Sequence, residues 1–104
     1  VTTWMRCYWD EEDTWFFFEA GPDGWVTRQV ELRGPASVPV AAAAETEWQH
    51  ARDTGRLGEY ESRFGSTAEA PVSTWEGHEP EQLTADEFEQ VWEAARRHLA
   101  AGPR

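Results

Sequence analysis

Four consecutive aromatic residues, Trp15-Phe16-Phe17-Phe18, place the tightest constraint on what this chain can fold into. Successive side chains of a strand point to opposite faces, so the run is apolar on both. Such a strand belongs in the middle of a sheet, covered from both sides. Its flanks agree. Asp10-Glu11-Glu12-Asp13 reads as a solvated turn before it. After it, Gly21-Pro22-Asp23-Gly24 is a turn signal in which proline sets one φ and glycine accepts a positive one. Strands are therefore predicted at Thr3–Trp9, Thr14–Ala20 and Trp25–Arg33, joined as an antiparallel meander. Alternation puts Met5, Cys7 and Trp9 on one face of the first strand and Trp4, Arg6 and Tyr8 on the other. In the third strand Val26, Arg28, Val30 and Leu32 share a face, opposite Trp25, Thr27, Gln29 and Glu31.

Gly34-Pro35 and Pro39 interrupt this pattern. From about Val40 to Thr54 the apolar positions Val40, Ala44, Trp48 and Ala51 recur at helical spacing, with four alanines at 41 to 44 inside the predicted helix. A short second helix is expected over Leu57–Phe64, stopped by Gly65, with Glu59 and Arg63 placed for an i,i+4 pair. Ala70–Glu76 reads as a further strand, and Pro71 suits an edge position. The last element is a helix opened by a capping box, Thr84 with Glu87. Its stripe is Phe88, Val91, Trp92, Ala95 and Leu99, and Gly102-Pro103 ends it. The expected fold class is α+β: one domain over residues 1–104, an antiparallel meander of three to five strands packed with two to three helices, the C-terminal one amphipathic.

Composition excludes several classes. With 39% hydrophobic and 13% aromatic residues the chain is too apolar to be disordered. No run approaches the roughly 20 apolar residues that span a bilayer, and no secretory pattern opens the sequence, so a cytoplasmic, membrane-free protein is expected. A lone cysteine, Cys7, leaves the core to hold the fold without an internal disulfide. Lysine, asparagine and isoleucine are missing, as suits a GC-rich bacterial gene. The net charge of -11 argues against direct nucleic-acid binding, which needs clustered cations, and points instead to a basic partner or to simple solubility.

The segment Trp15-Phe-Phe-Phe-Glu19, the hairpin Asp23-Gly24-Trp25 and the strand Arg28-Gln-Val30-Glu31 resemble a group of small acidic bacterial proteins. A C-terminal Glu-Phe-Glu-x-Val-Trp run, here Glu87 to Trp92, completes the likeness. The resemblance implies the same α+β fold. It implies no activity.

Candidate sites follow from the residue types. Arg28 lies among apolar neighbours, so it either pairs with a carboxylate, from Glu19 across the hairpin or from a helix, or faces a ligand. The face carrying Trp4, Arg6, Tyr8, Trp15, Phe17, Trp25 and Gln29 is either a second core or the wall of a small-molecule pocket. Trp4, Arg6, Tyr8, Trp25 and Arg28 are thus the candidate ligand- or partner-binding residues. Between Glu76 and Glu93 seven carboxylates stand without an arginine, and Glu79, Glu81, Glu89 and Glu93 form the candidate acidic surface for a basic partner.

No catalytic motif is present: neither a nucleophile elbow, a phosphate-binding loop nor a zinc-protease helix. Glu76-Gly-His78-Glu79 lacks zinc-site spacing, so no metal or cofactor is predicted. Mid-strand Cys7 reads as a small hydrophobe. The leading expectation is a non-enzymatic protein-interaction module of immunity or regulatory type. The alternative is a small-molecule binder or small enzyme using the Trp/Arg/Tyr face.

Overall fold

The computed structural model describes residues 1–67 and 80–101. Their order is β1 (Thr3–Trp9), β2 (Thr14–Ala20), β3 (Val26–Arg33), β4 (Val38–Ala44), α1 (Glu45–Asp53), α2 (Leu57–Phe64), β5 (Glu81–Leu83) and α3 (Ala85–Ala100). The strands form one antiparallel sheet in the order β4-β3-β2-β1-β5, so the aromatic strand β2 is central. The protein is α+β, with its C-terminal helix on the sheet.

The β2–β3 turn forms as its residues dictate. Gly24 N–H donates to Gly21 O at 2.9 Å, Gly24 takes φ 84°, and Asp23 Oδ1 accepts from Trp25 N–H at 3.1 Å. The Thr84–Glu87 capping box also closes in both directions, at 3.1 and 2.9 Å. From it α3 crosses the sheet with Phe88 and Ala95 buried and Val91, Trp92 and Leu99 packed on Phe17, Val30 and Ala42. A second cluster, Cys7, Phe18 and Val26 with Met5, Trp9 and Phe16, lies on the opposite face.

Four expectations are corrected. Residues 40–44 are strand, not helix, and only Glu45–Asp53 is helical. The alanines are selected for size: Ala41, Ala42, Ala43 and Ala44 are all buried, and their short side chains let α2 and α3 approach β4 closely. Second, Val26 changes face. The register slips between Glu19 and Ala20, so Arg28 opposes Glu19 while Val26 opposes Ala20, and Thr27 is the extra residue of a bulge.

Third, the division of the sheet into an Arg28 face and a Trp4 face fails. Trp4 opposes Glu19, which opposes Arg28, so Trp4, Arg6, Tyr8, Trp15 and Phe17 share one face with Arg28, Val30 and Leu32. Gln29 lies on the other face, and Trp25 precedes the strand, 43% exposed. Fourth, Arg63 donates to Ala100 O at 3.3 Å, where an i,i+4 pair with Glu59 was expected. The strand read at 70–76 and the stop at Gly102-Pro103 lie outside the described residues.

Candidate functional site

The five residues singled out on the sheet separate into three places. Trp4 and Arg28 meet at Glu19. Arg28 clasps that carboxylate with two N–H groups, at 3.0 and 2.5 Å, while Trp4 Nε1–H donates at 2.9 Å and the Thr27 hydroxyl at 2.8 Å. Glu89 of α3 takes a further Arg28 N–H. Burial acts to raise the Glu19 carboxyl, but the bonds from Arg28, Thr27 and Trp4 outweigh it and hold the pKa below its ordinary value. Arg28 is driven the other way, first by Glu19 and against its own burial, so its charge is secure.

The guanidinium of Arg28 also lies 4.9 Å from the Phe88 ring and 5.0 Å from the Trp92 ring. Arg96 also contacts Trp92, 4.4 Å from that ring, and lies 4.0 Å from Phe64. Arginine and aromatic side chains thus alternate from β3 across α3 to α2, with Glu19, Glu89 and Glu47 supplying the counter-charges. Cation–π contacts of this kind gain strength as water is excluded. Arg28 and Trp4 are engaged in holding the helices to the sheet.

Arg6 and Tyr8 meet elsewhere, around Trp15. Arg6 lies 4.9 Å from the Trp15 ring and pairs with Glu81 at 3.0 Å; Tyr8 packs on Trp15 at 5.2 Å and donates to Asp13 Oδ1 at 2.7 Å. Asp13 tethers the acidic turn here, its carbonyl accepting from Gly34 N–H at 2.8 Å. Register carries the row onward as Tyr8–Trp15–Leu32–Pro39, across four strands. Tyr8 is 42% exposed and the other three are half-buried. Asp10, Glu11 and Glu12 stand exposed at the Tyr8 end. Trp25 belongs to neither group. It borders a hollow with Trp48, whose indole N–H donates to Glu61 at 3.0 Å.

The acidic residues of the C-terminal region are equally divided in role. Glu81 pairs with Arg6, Glu89 shares Arg28 with Glu19, Glu93 is exposed on α3, and Glu79 lies outside the described residues. Cys7 is buried, and burial pushes its thiol up, away from the reactive thiolate. Among the described residues no three His, Cys, Asp or Glu side chains converge as a metal site.

One constellation had no forerunner in the sequence reading. Tyr60 of α2 accepts the Ala44 N–H at 2.9 Å and donates to Glu47 at 2.8 Å, while Arg96 of α3 donates to Ala42 O at 2.8 Å and to Glu47. These residues come from three helices, so no local spacing announces them. Beside them opens a groove of about 850 Å³ between α1 and α2. Comparison with protein-family models, with curated proteins and with solved structures returns no match, and the functional reading stands on this geometry.

Proposed function

We propose that the protein is a non-enzymatic interaction module that docks a basic protein partner on the row Tyr8–Trp15–Leu32–Pro39 and its acidic turn. One observation carries this reading: a partly exposed apolar row crosses four strands and ends at Asp10, Glu11 and Glu12. Apolar surface supplies the adhesive area, while the exposed carboxylates of the turn, which outnumber the one arginine beside them, Arg33, steer a cation toward it. Arg6 over Trp15 already illustrates how a guanidinium sits on this surface.

The internal use of arginine sharpens the contrast. Arg6, Arg28, Arg52 and Arg96 are bound to carboxylates of the protein itself, and Arg33, opposite Thr14, is the cation that register places beside the turn. The test is capture of partners from lysate by the parent, by Tyr8→Ala, and by a variant carrying Asp10→Asn, Glu11→Gln and Glu12→Gln. A basic protein retained by the parent at low salt, released near about 0.5 M salt and lost by both variants is the expected result. Equal retention by all three proteins overturns the reading.

A further inference from the structure

We propose that the groove between α1 and α2 binds a small organic oxyanion, a carboxylate or phosphate carried on a flat apolar body. The site lies at the other end of the sheet from the aromatic row, beyond Ala44, and is independent of it. Its volume of about 850 Å³ falls within the range of small-molecule sites. One wall is a single face of α2, because Arg56, Tyr60, Arg63 and Phe64 follow at i, i+4, i+7 and i+8. The facing wall is α1, with His50 and the buried Ala51.

Charge identifies the ligand. Arg96 and Glu47 also border the groove, but they are bound to each other. Arg56 makes no side-chain hydrogen bond or ion pair among the described residues. Arg63 gives a single N–H to Ala100 O at 3.3 Å and keeps its other donors. Arg56 further stands at the start of α2, where no side chain caps the helix, so the positive end of the helix opens beside a free guanidinium. Against these cations stands one carboxylate without an arginine, Glu59. A local excess of positive charge in a chain of net charge -11 selects an anion. The apolar part is equally defined: the rings of Tyr60 and Phe64, 5.3 Å apart and half-buried, offer a surface for a flat body while Arg56 and Arg63 hold its charged group.

The experiment is an amide-resolved NMR titration of the whole chain with benzoate, phenyl phosphate, inorganic phosphate and neutral benzyl alcohol. Shifts confined to α1, the 54–56 connection and α2 are expected with benzoate or phenyl phosphate, the tighter of the two naming the headgroup. Benzyl alcohol and inorganic phosphate should each bind at least about tenfold more weakly, since each lacks one half of the ligand. Arg56→Ala with Arg63→Ala should weaken binding at least about tenfold, and Arg56→Lys with Arg63→Lys should restore much of it. Both arginines are exposed, so the urea midpoint of each variant should match the parent, which separates lost binding from lost folding. No shifts at about 20 mM probe, shifts centred elsewhere, equal binding by the alanine variant, or inorganic phosphate binding as tightly as phenyl phosphate would each overturn the proposal.

Discussion

Trp92 is in contact with two guanidinium groups, those of Arg28 and Arg96, and the energetics of the molecule at residue scale turn on what those cations need. Arg28 has a side chain 20% exposed and Glu19 one 15% exposed, so neither is free to recover full hydration if its partner is lost. Removing one member of such a pair leaves an uncompensated charge, which costs more than the pair contributes. Arg28→Ala should therefore destabilise the protein by about 2–4 kcal/mol in urea unfolding. Glu19→Gln combined with Arg28→Met should lose distinctly less, because the glutamine oxygen still accepts from Trp4, its amide N–H can donate to the Thr27 hydroxyl, and methionine keeps contact with Phe88 and Trp92. A double variant as unstable as Arg28→Ala would show that the charge itself holds the helices. Of this arrangement, the need of Arg28 for a carboxylate was legible from its apolar neighbours, and Glu19 was a named candidate. The second ring and the second arginine were not, because Trp92 and Arg96 join Phe64 only through tertiary packing.

At the scale of elements, β4 is the instructive case. Val38-Pro39-Val40-Ala41-Ala42-Ala43-Ala44 offers no alternation of polar and apolar residues, and alanine is the strongest helix former, so its sequence reads as helix. Pairing with β3 overrides that preference, through a register shifted between Glu31 and Leu32 that leaves Val40 as the extra residue. Elements with a strong local code behaved otherwise: β1 alternates, β2 is a continuous aromatic run between turn signals, and α3 carries its own capping box. Three-residue β5 is too short to announce itself.

An edge strand such as β4 exposes backbone groups that invite pairing with another chain. Here the C-terminal end of that edge is closed by side chains: Tyr60 takes the Ala44 N–H and Arg96 the Ala42 carbonyl. Gly65, at φ 81°, ends α2 so close to β4 that an added Cβ would stand 2.9 Å from that of Ala41. Tyr60→Phe removes the hydroxyl while keeping the ring on Phe64. It should cost about 1–2 kcal/mol and speed hydrogen exchange at the Ala44 amide more than at β2 amides. Unchanged exchange at Ala44 would mean that water replaces the hydroxyl without loss.

For the whole molecule, net charge and internal pairs set opposing demands on pH. At neutral pH the charge of -11 makes the compact state repel itself. Glu31 adds to this, since burial raises its pKa above the ordinary 4.5 despite the bond from Gln29. A folded-state pKa above the unfolded one means stability that is present at low pH and lost as pH rises through the raised value. Glu19 and Glu47 act in the opposite sense. Burial works to raise each of them, but Arg28 with Thr27 and Trp4 lowers the first, and Arg96 with Tyr60 lowers the second. Their contribution is present above the ordinary carboxylate value and is lost as pH falls below it toward their depressed pKa values. Thermal unfolding at low ionic strength should therefore show maximum stability on the acid side of neutrality, at about pH 5–6. The two limbs should also respond differently to salt. Raising ionic strength to about 0.5 M screens exposed charges and should flatten the neutral limb, while half-buried pairs are screened less and keep the acid limb steep. Glu31→Gln should raise stability at pH 7 and lose that advantage below about pH 4, where the parent carboxyl is protonated in both states. A profile that climbs steadily from pH 5 to 8 at low salt would mean that the ion pairs dominate and that self-repulsion in this acidic chain is too weak to matter.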